Sequence, residues 1–246
     1  MLVKDSQRLK IKQIKGGIEL TETNIGYRIK TDYKKPDFEL VKDFQSVPVA
    51  NIGDAMGRFY IMDPGIKTVN KPDIHMVGTA LTVRVRPGDN LMIHKAVDMA
   101  KKGDVLVIDA AGSKSGVWGE LLSLWGIYRG INGIVIDGGV RDKKFLWEKG
   151  FPVFARHTWP SGGDKDGPGE INYPISCGNI AVNPGDIIVG DADGVVVIPQ
   201  DIHEQVLKKV QKVMEKEKRL AEEIKNGKWE RAWVDEILEK KGFTIE

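Results

Sequence analysis

The segment from Asp104 to Asp142 constrains the fold of this chain more than any other, because it holds two successive units of strand, glycine turn and helix start. The first reads GDVLVIDAAGSKSGVWGEL and the second INGIVIDGGVRD. In each, an apolar run of strand length breaks on glycine and then opens a helical pattern. Repetition of such units predicts an α/β fold built on a sheet. Gly119, Glu120, Arg141 and Asp142 all fall just beyond strand ends, the edge at which open α/β sheets bind ligands.

A chain of 246 residues with 41% apolar side chains can bury one substantial core. Its 37 basic and 35 acidic side chains nearly cancel, to a formal +2, which leaves no broad positive field to hold a nucleic acid. A lone cysteine, Cys177, allows no intrachain disulfide and no cysteine zinc cluster; it points to a packing role in a reducing compartment. No apolar run approaches the roughly 20 residues of a membrane helix. The opening MLVKDSQRLKIKQIK lacks the apolar centre of a secretion signal, so the expected location is the cytoplasm, with no membrane partner.

The organisation expected is an N-terminal extension over residues 1–44, a core domain over 45–225 and a helical tail over 226–246. Asp37 is placed to cap a short helix through Phe38, Leu40, Val41 and Phe44, and VANIGDAMGR makes a second. MVGTALTVRV alternates like a strand before a Pro-Gly turn, after which Asn90 caps a helix carrying Leu91, His94, Val97 and Ala100. Phe151 to Ala155 adds a strand, and the glycine, proline and charge of His157 to Gly169 predict an ordered loop near the surface or the site. Ile187 to Gly190 and Gly194 to Ile198 read as a hairpin. From Ile202 to Ile224 apolar residues recur at helical spacing, giving one long amphipathic helix. Gly227 ends it, and Trp229 and Trp233 lead a last helix expected to dock on the core or on a partner chain.

Chemistry is expected at the two strand ends. A helix opening near Trp118 leaves the amides of Glu120, Leu121 and Leu122 without intrahelical partners at its positive end, a setting that binds anions. Gly112, Gly116 and Gly119 let backbone approach a small carboxylate or phosphate. Neither a GxxxxGK[ST] loop nor a GxGxxG fingerprint is present there, which removes the nucleotide readings. Arg141 followed by Asp142 offers a guanidinium for an anionic substrate beside a carboxylate for a hard cation; helix capping and surface ion pairing are the plainer alternative. Mg²⁺ takes only one or two protein oxygens when waters and substrate supply the rest. His75, His94, His157 and His203 have no metal-ligand spacing, and Lys114, the lysine nearest the first loop, sits in a solvent-facing run unsuited to a Schiff base. Asp54 reads as a helix-end residue, and Asp164, Asp166 and Glu170 as solvated loop carboxylates.

Glu120, twenty intervening residues and then Arg141-Asp142 resemble the signature of the class II pyruvate aldolases acting on 4-hydroxy-4-methyl-2-oxoglutarate and 4-carboxy-4-hydroxy-2-oxoadipate, a family that also contains the RraA regulators of ribonuclease E. Agreement extends through VANIGDAMGR, GFPVFAR and PISCGNIAVNPGDIIVGDADGVVVIP, over roughly residues 45 to 225. The resemblance implies a layered αββα sandwich with a central mixed sheet, like the swivelling phosphohistidine domain, assembled as a homotrimer or hexamer with sites between subunits. It implies Mg²⁺ or Mn²⁺ held through Asp142, Arg141 on the oxygen that gains charge, and Glu120 reaching the metal through water. Many members carry aspartate where this chain has Glu120. The substrate carboxylate would lie on the backbone from Gly119 to Leu122. The implied function is a metal-dependent lyase that cleaves a 4-hydroxy-2-oxo acid and decarboxylates oxaloacetate; the alternative is a non-catalytic protein that binds and regulates ribonuclease E. A methyltransferase reading finds no glycine-rich cofactor motif followed by a ribose-binding acid.

Overall fold

The computed structural model describes residues 25–244. Its strands are β1 (Tyr27–Ile29), β2 (Lys67–Thr68), β3 (Met76–Val85), β4 (Asp104–Trp118), β5 (Gly133–Val140), β6 (Val153–Thr158), β7 (Gly169–Ile171), β8 (Ile175–Cys177), β9 (Ile180–Val182), β10 (Ile187–Asp191) and β11 (Gly194–Ile198). The helices are α1 (Phe38–Val41), α2 (Val49–Ala55), α3 (Leu91–Met99), α4 (Glu120–Arg129), α5 (Lys143–Lys149), α6 (His203–Lys225) and α7 (Ala232–Lys240). Strands β3, β4, β5 and β6 run parallel at the centre. Antiparallel neighbours make the sheet mixed: β10 pairs with β3 along Met76–Thr79 and β7 pairs with it along Val83–Val85.

Three apolar clusters stack these elements into α, β, β and α layers. Leu81, Val83, Leu106, Ile108, Ile134 and Ile136 face α3, α4 and α5 on one side of the sheet. Val105, Val107, Val135 and Phe154 on the other side meet Ile188, Val195 and Val197 of the β10–β11 hairpin. The opposite face of that hairpin, through Ile187, Val189, Val196 and Ile198, packs on α1, α2 and α6. Being covered on both faces, β3 is buried along nearly its whole length, so the alternation in its sequence marks two different cores and not a dry and a wet side.

The short helix after Asp37 forms as expected, with the Asp37 carboxylate accepting the Glu39 amide at 3.1 Å. The β10–β11 hairpin also forms as the sequence predicts. Five local expectations are corrected. The glycine-rich stretch after Asp109 is not a free loop: it stays paired with β5 through three register shifts, so that from Asp109 to Trp118 β4 advances nine residues while β5 advances three, from Asp137 to Val140. Asn90 does not cap α3 with its side chain; the adjacent Asp89 does, accepting the Leu91 amide at 2.9 Å. His157 lies within β6, opposite Gly139, and not in the following loop. Glu170 is buried, not solvated, because Arg28 Nε donates to it at 2.5 Å; that bond, against the cost of burial, holds its carboxyl below the usual range. Finally, α7 buries no residue and Trp229 and Trp233 stay exposed, so the tail does not dock on this chain's core. Of the N-terminal extension, residues 1–24 lie outside the described residues, while Tyr27–Ile29 joins the sheet beside β7.

Candidate functional site

The site is assembled where β4 and β5 end side by side, Trp118 opposite Val140. Trp118 is buried, with its indole Nε1 donating to Ser123 Oγ at 2.7 Å, and that hydroxyl donates to the Gly119 carbonyl at 2.9 Å. This pins the strand-to-helix turn. The chain leaves β4 at Gly119 and enters α4 at Glu120. Across the gap, the Arg141 amide donates to the Trp118 carbonyl at 2.9 Å, which sets Arg141 and Asp142 against the start of α4.

Arg141 lines a cavity of about 180 Å³ together with Gly119, Glu120, Leu121, Leu122, Asn90, His94, Gly162, Gly163 and Lys165. The structure therefore brings Gly116, Gly119, Glu120, Leu121, Leu122 and Arg141 together at one cavity, with Asp142 adjoining it, whereas Gly112, expected to let backbone approach the ligand, does not line it. The Glu120 amide is already used: it donates to Asp142 Oδ2 at 3.0 Å. Among the described residues the amides of Leu121 and Leu122 have no acceptor, since the first intrahelical bond is from Ser123 to the Gly119 carbonyl. Two of the three amides thus face the cavity region unpartnered, at the positive end of α4. Among the described residues the guanidinium of Arg141 makes only a 3.5 Å contact with Asp142 Oδ2, which leaves its other donors open to a ligand.

Asp142 adopts a left-handed backbone, φ 58°, a conformation that Asp and Asn tolerate better than other side chains. Among the described residues its Oδ1 has no hydrogen-bond partner, and the side chain is 38% exposed. No group of three or more His, Cys, Asp or Glu side chains gathers as a metal cage among the described residues. One carboxylate with a free oxygen suits a hard cation that keeps most of its waters and shares the substrate's oxygens, and in that sparse form the donor set fits Mg²⁺ or Mn²⁺.

Small residues are required here by close approach. A Cβ added at Gly119 would fall on Asp142 Oδ2 and 2.9 Å from Arg141 Cγ, and one at Gly116 would stand 2.7 Å from the Trp159 carbonyl and 3.0 Å from Arg141 Cβ. Gly119→Ala is expected to displace both Arg141 and Asp142, with a loss of activity of about a hundred-fold. An assay for the pyruvate release that the resemblance implies, beside a thermal melt showing that the variant is still folded, checks this.

Several lining residues escaped the sequence reading. His94, placed by the sequence on a helix and without metal-ligand spacing, reaches the cavity from α3. Burial and the neighbouring Lys165 ammonium, against the opposing charge of Asp98, lower its pKa, which favours the neutral imidazole. Asn90 gives its Nδ2 to the Val117 carbonyl at 3.1 Å, and its buried Oδ1 has no partner among the described residues. Gly162, Gly163 and Lys165 come from the loop after β6; its PSGGDKDGPG composition was the available signal. The other candidates lie elsewhere: His75 bonds the Val47 carbonyl, His203 donates from Nδ1 to the Gln200 carbonyl, Asp54 pairs with Arg58 at 3.0 Å, and Lys114 is exposed on the β4 excursion.

A family model described as RraA-like, Aldolase/RraA, matches residues 49–197. A protein of Halalkalibacterium halodurans named "Putative 4-hydroxy-4-methyl-2-oxoglutarate aldolase" is 41% identical over 177 residues, spanning 72% of this chain and 84% of that protein. The crystal structure of an uncharacterized protein from Pseudomonas syringae superposes with a TM-score of 0.71 at 27% identity, covering 79% of this chain and 96% of the other. Streptomyces coelicolor RraAS2, described as an unusual member of the RNase ES inhibitor RraA protein family, gives a TM-score of 0.69 at 26% identity, with 76% and 98% covered.

Proposed function

This chain belongs to the RraA-like family, Aldolase/RraA, and from that premise we propose that it is a divalent-metal-dependent lyase that cleaves a 4-hydroxy-2-oxo acid to release pyruvate and also decarboxylates oxaloacetate. The observation that carries this reading is the meeting of the Arg141 guanidinium with the unpartnered Leu121 and Leu122 amides at one cavity. Both reactions break the bond between C3 and C4 of a 2-oxo acid and leave the electron pair on C3, as the enolate of pyruvate. In the retro-aldol case the 4-hydroxyl loses its proton and C4 becomes a carbonyl; in the other, C4 departs as carbon dioxide. The enolate then takes a proton at C3.

One requirement is common to both: negative charge grows on the 2-oxo oxygen and must be met by groups already in place. The substrate carboxylate would lie on the α4 amides, and Arg141 would face the 2-oxo oxygen. Asp142 would hold the cation, with Glu120 acting through water, and a bound Mg²⁺ or Mn²⁺ would supply Lewis-acid charge at the 2-oxo acid. Lys165, the lysine on the cavity wall, is exposed and lacks the buried setting that a Schiff-base nucleophile needs. The assembly proposed is a trimer or a dimer of trimers with sites between subunits. In support, Leu121, Leu124, Trp125 and Tyr128 form an exposed apolar stripe on α4 beside the cavity.

A coupled assay for pyruvate over a panel of 4-hydroxy-2-oxo acids and oxaloacetate tests the proposal. Release is expected to stop in the presence of a chelator and to return with added Mg²⁺ or Mn²⁺. Turnover that survives complete metal removal overturns the metal-dependent mechanism.

A further inference from the structure

We infer that Asp89 is a positioning residue for this cavity: from beneath its wall, it fixes the stretch of chain that presents Lys165. The inference rests on the lyase reading of the site. Asp89 is completely buried, and a buried carboxylate is costly unless fully paired. It is paired by design of the surrounding chain. Oδ1 accepts the Leu91 amide at 2.9 Å, and Oδ2 accepts the amides of Asp166 and Gly167 at 2.7 and 2.9 Å, with Arg86 Nη2 3.5 Å away. Burial alone would push its carboxyl up; the three amides and the arginine outweigh that and hold it below the usual range.

These bonds tie the start of α3 to the loop that follows β6. Backbone bonds hold the part of the loop before Lys165: Gly116 N–H to the Ser161 carbonyl at 2.7 Å, Asn90 N–H to the Asp164 carbonyl at 2.8 Å, and Asp164 N–H to the Gly88 carbonyl at 2.8 Å. The two amides immediately after Lys165 both go to Asp89. Glycine lets the loop close over the site, since a Cβ at Gly162 would stand 3.0 Å from Arg141 Nη1 and one at Gly163 3.2 Å from Asn90 Cγ. Lys165 lies near enough to His94 to lower its pKa. Asp89 thus sets where the second cation of the cavity stands relative to Arg141. On this inference the first carboxylate of a substrate lies on the α4 amides and its far end toward Lys165, which lines the same cavity. Loss of Asp89 should therefore weaken binding of a second carboxylate while leaving charge neutralisation by Arg141 in place.

Asp89→Asn tests this, because an amide offers one oxygen and cannot serve both the α3 start and the loop. Hydrogen exchange in the peptide containing Asp166 and Gly167 is expected to speed up about tenfold, with β3 to β6 unchanged. KM for oxaloacetate should rise about tenfold with kcat within about threefold, while product inhibition by pyruvate, which has a single carboxylate, stays as in the parent. Faster exchange with an unaltered KM, a fall confined to kcat, or unaltered exchange each overturns the inference. Asp166→Pro removes one of the two loop amides without touching the α3 cap, and should shift KM in the same direction if Asp89→Asn does not fold. Should the parent protein turn over no 2-oxo acid, the lyase reading fails by itself, and the exchange measurement alone decides whether Asp89 holds the loop.

Discussion

Replacing Arg141 with alanine will leave a folded protein whose turnover of 2-oxo acids falls by about a hundred- to a thousand-fold, the usual cost of removing one preorganised donor from a developing oxyanion. Folding is expected to survive because the Arg141 side chain is 44% exposed and its one charged contact among the described residues, with Asp142, is 3.5 Å long, a pairing of little worth to stability. The loss should appear in kcat as well as in kcat/KM, since the interaction strengthens only as charge develops. Steady-state kinetics with oxaloacetate and a circular-dichroism melt measure both halves. The same variant separates lyase from regulator, because binding to a ribonuclease would not require this guanidinium. A variant with parental turnover would remove Arg141 from the chemistry.

The second large effect is expected at Asp142, where asparagine is the informative replacement. Alanine would confound two losses: it removes the ligand, and it places a side chain poorly suited to the left-handed backbone at φ 58°, a strain of about 1–2 kcal/mol. Asparagine tolerates that backbone and can keep the bond from the Glu120 amide. Asp142→Asn should therefore melt near the parent temperature yet need about a hundred-fold more Mg²⁺ or Mn²⁺ for half-maximal pyruvate release, as the anionic ligand is gone. A metal titration followed by pyruvate release provides the check. An unchanged titration would show that the cation is held elsewhere.

Sequence made the end of β5 and the start of α4 legible because local chemistry decides them: β5 stops where the charge of Arg141 and Asp142 begins, and α4 opens after Gly119; β4, by contrast, runs past its first glycines to Trp118 because it stays paired with β5. The placing of Arg141 with the substrate at the α4 start came from the resemblance to the aldolases, since the residues alone left helix capping and surface pairing open. What was hidden depends on contacts between distant segments. His94 looked like any residue on an amphipathic helix until the loop carrying Lys165 closed beside it. Glu170 looked solvated because Arg28, its partner, lies 142 positions away. Asp89 and Asn90 are adjacent and both suit a helix start; tertiary demand settled the matter by drawing the Asn90 amide to the Val117 carbonyl.

The surplus residues of β4 have a bearing on descent. The slippage against β5 is confined between Asp109 and Trp118, whereas the twenty positions from Leu121 to Val140 contain only α4, a turn and β5. Lengthening or trimming the excursion ahead of Gly116 is expected to remodel the outer rim while leaving Glu120 and Arg141 in place, because Gly116 and Trp118 re-register β4 against Gly139 and Val140 before either strand leaves the sheet. Related chains are thus expected to tolerate a change in the number of residues ahead of Gly116 more readily than a change in the interval from Glu120 to Arg141.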